Sequence, residues 1–249
     1  MGTRIPLSDE SSDSYLTDYS ETSDGSDWDY QQRSSYPNSY PEVNNIIHKM
    51  WDTVLDHIHG YQQKLASTTY LVCKTDAFHK PAIIKSNAEH AEEQLLSKIQ
   101  SISKVPLKII IYINNSPCAK CASLLKQFLL DNQHIQMVLY NAHLYNIQRI
   151  SCKSRKAAKK NEKHVTKISN EDHVKNYNGL RDLMSLGGHQ CRIEAFTKKV
   201  WKDLLDVTGI SRQMMSNYNR RKRGCDRSRK NEDKRIKKDL NEIKRFSIP

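Results

Sequence analysis

Residues 90–121 read HAEEQLLSKIQSISKVPLKIIIYINNSPCAKC. Ala91, Leu95, Leu96, Ile99 and Ile102 recur at helical spacing, so His90 to Ile102 is expected to form a helix. Leu107 to Ile113 follows, with Ile109, Ile110 and Ile111 consecutive, as in a central strand buried on both faces. Pro117-Cys118 then opens another helix through Leu124, Leu125, Phe128 and Leu129. The stretch is thus helix–strand–helix, with polar side chains at both helix starts.

Working outward, the pattern continues. Val43, Ile46, Ile47, Met50, Trp51, Val54, Leu55 and Ile58 keep the i, i+3, i+4, i+7 rule and predict an amphipathic helix. Thr68–Cys73 and Ala82–Ile84 read as a hairpin of two short strands. Ile135–Tyr140 is the fourth strand. A helix over Gly179–Leu186 stops at Gly187-Gly188, a C-cap signal. Cys191–Phe196 is the fifth strand and Lys198–Val207 a further helix. Alternating strands and helices imply an α/β sheet sandwiched by helices, with the late strands parallel.

Charge divides the chain differently. Residues 1–42 hold nine acidic side chains against Arg4 and Arg33, a net −7, which leaves +19 on the remainder. Residues 1–41, rich in Ser, Asp and Tyr, read as a disordered acidic tail. Residues 147–176 read as a basic insertion and residues 212–249 as a basic C-terminal tail. A basic body favours polyanions, because Lys and Arg displace counterions condensed on phosphates. No apolar leader and no run of about 18 apolar residues is present, so neither secretion nor a membrane span is expected. In a reducing compartment the Cys118-x-x-Cys121 pair is a metal or redox motif rather than a disulfide.

The two helix starts carry the chemistry. The first holds His90-Ala91-Glu92, the second Pro117-Cys118-Ala119-Lys120-Cys121, and 24 residues (93 to 116) lie between Glu92 and Pro117. This is the H-x-E…P-C-x-x-C spacing of zinc-dependent nucleobase deaminases. One imidazole and two thiolates, His90, Cys118 and Cys121, make a three-ligand zinc site with the fourth position left for water. Glu92 is then the general acid/base rather than a ligand. A structural zinc site would want a fourth protein ligand, for which His189, Cys191 and Cys73 are available. That alternative gives Glu92 no task.

From Thr69 to Val207 the chain resembles the AID/APOBEC polynucleotide deaminases. Thr69-Tyr70-Leu71, His90-Ala91-Glu92-Glu93, Ser116-Pro117-Cys118-Ala119-Lys120-Cys121-Ala122 and Gly179-Leu180-Arg181-Asp182-Leu183 carry the resemblance. It implies the cytidine-deaminase fold, a five-stranded mixed sheet flanked by about six helices. It also implies one zinc ion in a deaminase domain at residues 42–211 and single-stranded DNA or RNA as substrate. Thr69, Asn87, Ala91, Ser116 and Tyr140 match positions at the target nucleotide, Tyr140 as the aromatic that packs on the base. Asn115 stands where active members carry tryptophan, a feature shared with the muscle-type branch. A deaminase-fold protein that binds nucleic acid with weak or no catalysis is therefore the second reading. Arg220-Arg221-Lys222-Arg223 with Lys234-Arg235 and Lys237-Lys238 has the spacing of a bipartite nuclear-import signal, which adds nuclear import factors as partners. Nuclear or cytoplasmic residence is the matching expectation. A free-nucleoside deaminase is disfavoured by the basic surface and by the crossover helix before the fifth strand.

Overall fold

The isoleucine run lies in β3 (Leu107–Asn115), the middle strand of a five-stranded sheet ordered β2-β1-β3-β4-β5. A computed structural model describes residues 41–56, 68–99, 107–148, 168–220 and 228–246. In it β1 (Tyr70–Thr75) runs antiparallel to β2 (Ala82–Lys85) and to β3. β4 (Ile135–His143) and β5 (Cys191–Ala195) are parallel to β3, with Ile111 beside Leu139 and Leu139 beside Ile193. The sheet is mixed, as expected, and the hairpin and the parallel late strands are where the sequence places them.

Side-chain alternation gives the sheet two buried faces. Ile109, Ile111, Ile113, Met137 and Leu139 face one core. It is closed by α2 (Ala91–Ile99), α3 (Ala119–Asp131), α4 (Asn170–Met184) and α6 (Arg229–Arg245). Tyr70, Val72, Tyr112 and Ala142 face the other core, closed by α1 (Pro41–Asp56) and α5 (Lys198–Thr208). There Trp51 meets Trp201 edge-on, ring centroids 4.7 Å apart. A short 3-10 turn, Arg212–Asn217, follows α5.

Two expectations need correction. Residues 170–176, read as part of a basic insertion, form the first half of α4. Ser169 caps that helix, its Oγ accepting the Asp172 N–H at 2.9 Å. Residues 149–167 of that segment lie outside the described residues, as does the acidic stretch 1–40. The C-terminal region is also not simply a basic tail. α6 places Ile236, Leu240 and Ile243 in the main core, where burying each is worth about 1.5–3 kcal/mol. Its spacing is i, i+4, i+7, a helical stripe too sparse to stand out among the lysines. Arg229, fully buried, pairs with Asp233 and donates to the Ala142 carbonyl of β4 at 2.8 Å. The folded body therefore extends past residue 211.

Candidate active site

The helix starts flagged in the sequence come together on the α2–α3 side of the sheet. His90 stands just before α2. Its backbone N–H donates to Glu93 Oε2 at 3.3 Å, the returning half of a capping box. The other oxygen of Glu93 lies 2.6 Å from Lys120 Nζ, which ties the start of α2 to the start of α3.

Cys118 occupies the N-cap of α3 and Cys121 lies in its first turn. His90 Nδ1 lies 3.2 Å from Cys121 Sγ and 3.6 Å from Cys118 Sγ, and all three donor atoms fall within 4.8 Å of one another. A tetrahedral zinc ion, with bonds of about 2.0–2.1 Å to nitrogen and about 2.3 Å to sulfur, separates such donors by about 3.6 Å. The donor set therefore fits the ion in type and in spacing. Cys118 is pushed down to about 5, chiefly by its hydrogen bond with Cys121, with the backbone N–H groups of Cys121 and Lys120 and the charge of His90 assisting. Cys121 is held up, first by that same hydrogen bond, then by burial and the nearby Glu92 carboxylate. Cys121 is buried, Cys118 half-buried and His90 exposed, so the cluster opens outward on the histidine side.

Glu92 is 4 % exposed beside this cluster. Burial pushes its carboxyl up to about 7, its own backbone N–H opposing and the Cys118 charge adding to the rise. Among the described residues no fourth side chain joins the three donors. Cys73 and Cys191 belong to the apolar core, and His189 is exposed in the turn before β5. The four-ligand structural alternative thus loses the candidates named for it.

Several residues expected at the substrate gather at the strand ends next to the cluster. Asn115 Nδ2 reaches Thr69 Oγ1 at 3.5 Å. Ser116, buried, donates its N–H to the His143 carbonyl at 2.8 Å and accepts the Tyr145 N–H on its Oγ at 2.9 Å. Asn87 sits apart in the β2–α2 loop, where its Oδ1 accepts the Glu89 N–H at 2.8 Å. The methyl of Ala91 is core, which leaves its backbone amide, at the first helical position, for any ligand.

Tyr140 is a correction. Its ring lies on the α1–α5 side of the sheet, stacked on Tyr112 at 5.6 Å and edge-on to Phe196 at 6.5 Å. β4 runs three residues beyond the expected end, so the loop opens at Leu144. Tyr145, half-buried, follows in that loop, its N–H donated to Ser116 Oγ. Asn176 was also missed. Its side chain, 5 % exposed on α4, accepts the Ala119 N–H at 2.9 Å at the head of the Cys-bearing helix. Nothing in the local sequence marks Asn176, because its partner is 57 positions away.

A mixed sheet thus presents one imidazole and two thiols at adjacent helix starts, a donor set suited to zinc, with a buried carboxyl beside it. Residues 57–177, just under half of the chain, match the family model for the APOBEC3 cytosine deaminase domain. Over 88 residues the chain is 32 % identical to the DNA dC->dU-editing enzyme APOBEC-3H of Felis catus. That similarity spans 34 % of this chain and 42 % of the relative. Over these residues the chain is similar to AID/APOBEC-like deaminase domains, and its mixed five-stranded sheet is consistent with the cytidine-deaminase fold.

Proposed function

We propose that this protein deaminates cytosine to uracil in single-stranded DNA or RNA. The observation that carries the reading is the His90–Cys118–Cys121 cluster with Glu92 buried against it. Its similarity to a DNA-editing relative favours a polynucleotide over a free nucleoside. His90, Cys118 and Cys121 would hold one zinc ion, which when bound acidifies water enough to supply the nucleophile near neutral pH. Glu92 carries one proton from the attacking water to the ring N3, where it stays, and the second, from the new C4 hydroxyl, to the departing amine. Oxygen from water ends on C4, and ammonia leaves. Thr69, Ser116 and the Ala91 amide line the approach, and Tyr145 offers the ring face on which the base rests.

The basic body attracts the phosphate backbone, and the clusters at 220–223 and 234–238 suit nuclear import factors and a nuclear or cytoplasmic address. No described helix is long and apolar enough to cross a membrane. The deaminase unit is taken as residues 42–211 extended by α6, with the acidic stretch 1–41 as a separate tail. Asn115 keeps one second reading in view. Buried and facing Thr69 where active members have tryptophan, it removes an aromatic wall from the base slot. On that reading the protein binds single strands without turnover.

Single-cytosine DNA and RNA oligonucleotides, incubated with the full chain and assayed for uracil, decide between the two. Product from the wild type that falls about 10²–10⁴-fold in Glu92→Gln supports deamination. Salt-dependent binding with equal, background uracil from both proteins supports the second reading.

A further inference from the structure

Cys118 stands at the helix N-cap, where Ser, Thr, Asp or Asn normally supplies an oxygen to the first free N–H groups. A cysteine supplies no oxygen there, and α3 has no side-chain capping bond from its own N-cap. The first helical hydrogen bond runs from Ala122 N–H to the Cys118 carbonyl at 2.8 Å. The Ala119 N–H, at the first helical position, meets Asn176 Oδ1 at 2.9 Å.

The Asn176 amide is held in one orientation. Its Nδ2 donates to the Asp172 carbonyl at 2.8 Å, so its oxygen faces Ala119. The two helices are also pressed together at this point. A Cβ on Gly179 would lie 2.8 Å from the Ala119 Cα, closer than side chains pack. α4 therefore touches the backbone between the two cysteines through a fixed acceptor and a glycine contact.

We propose that Asn176 is a positioning residue for the metal site, capping the Cys118–Cys121 turn from α4 so that both sulfurs are set before the ion arrives. The inference rests on the zinc reading above and adds an outer-shell residue to it. Loss of such outer-shell partners typically weakens metal affinity about 10–100-fold.

The test is zinc affinity, measured on the full chain by competition with a chromogenic chelator, beside thermal melting of each variant. Asn176→Leu removes the acceptor and is expected to weaken zinc binding at least about 10-fold. Asn176→Asp keeps an oxygen toward Ala119 and is expected to retain most of the affinity. Leu183→Ala, a core truncation on the same helix, is expected to lower the melting temperature without moving zinc affinity. Should Asn176→Leu not fold, Asn176→Ala is read in its place. An affinity in the acceptor-deleted variant within twofold of wild type overturns the inference, as does an equal loss in Leu183→Ala. A wild type that binds no zinc sinks the proposed function itself, a different and distinguishable failure.

Discussion

Replacing Arg229 with Met should cost stability in a way that grows with pH. The guanidinium is fully buried, bonded to Asp233 (Nε to Oδ1, 2.7 Å) and to the Ala142 carbonyl of β4. Ala142 precedes His143, whose carbonyl accepts the Ser116 N–H, so α6 supports the strand end that borders the site. Burial pushes Asp233 up to about 6, with Arg229, Tyr218 and Trp201 pulling the other way. A raised folded-state value means that the carboxyl's contribution is fully present below about pH 3.9 and lost as pH rises through 6. In the wild type the loss levels off above 6, because Asp233 is then ionised and paired. In Arg229→Met the carboxylate has no cation, its folded value rises further, and stability keeps falling by about 1.4 kcal/mol per pH unit. Leaving the Ala142 carbonyl without its donor adds about 1–3 kcal/mol at every pH. The expected deficit is therefore about 1–3 kcal/mol at pH 6 and about 3 kcal/mol larger by pH 8, in line with broken buried ion pairs elsewhere. Urea unfolding of both proteins at pH 6, 7 and 8 measures it. A deficit below about 1 kcal/mol at pH 8, or one equal at pH 6 and 8, refutes the reasoning.

Cys73 and Cys191 are buried, and burial pushes both thiols up to about 12. Neither should be alkylated by iodoacetamide at pH 8 in the native protein, and both should be in urea, which peptide mass mapping reads; native labelling would contradict their core placement. Tyr145→Ala should weaken single-strand binding by the stacking term of about 1–3 kcal/mol, measured by fluorescence anisotropy. Tyr140→Ala, which loses its contacts with Tyr112 and Phe196, should lower the melting temperature and leave affinity unchanged. The reverse pattern would restore Tyr140 to the substrate.

Period and spacing made most of the domain legible. The unbroken 109–111 isoleucine run locates the central strand, and the histidine and cysteine spacing locates the cluster. What escaped was set by long-range contacts. The first half of α4 carries a Ser169…Asp172 start signal, but Lys and polar residues around it mask the weak apolar period. In α6 the core contacts number few, and a buried Arg229–Asp233 pair looks like any surface charge run until β4 and α1 are packed against it. The end of β4 was misplaced by three residues because Asn141 and His143, polar yet buried, do not read as strand. With the longer strand, Tyr140 packs on Tyr112 and it is Tyr145 whose N–H bonds Ser116.

X-ray absorption at the zinc edge, on protein expressed with zinc and desalted, addresses the metal centre directly. One ion per chain with two sulfur, one imidazole nitrogen and one light-atom neighbour is the expected shell. Zinc absent at stoichiometry, or a shell completed by a fourth protein side chain, would contradict the account.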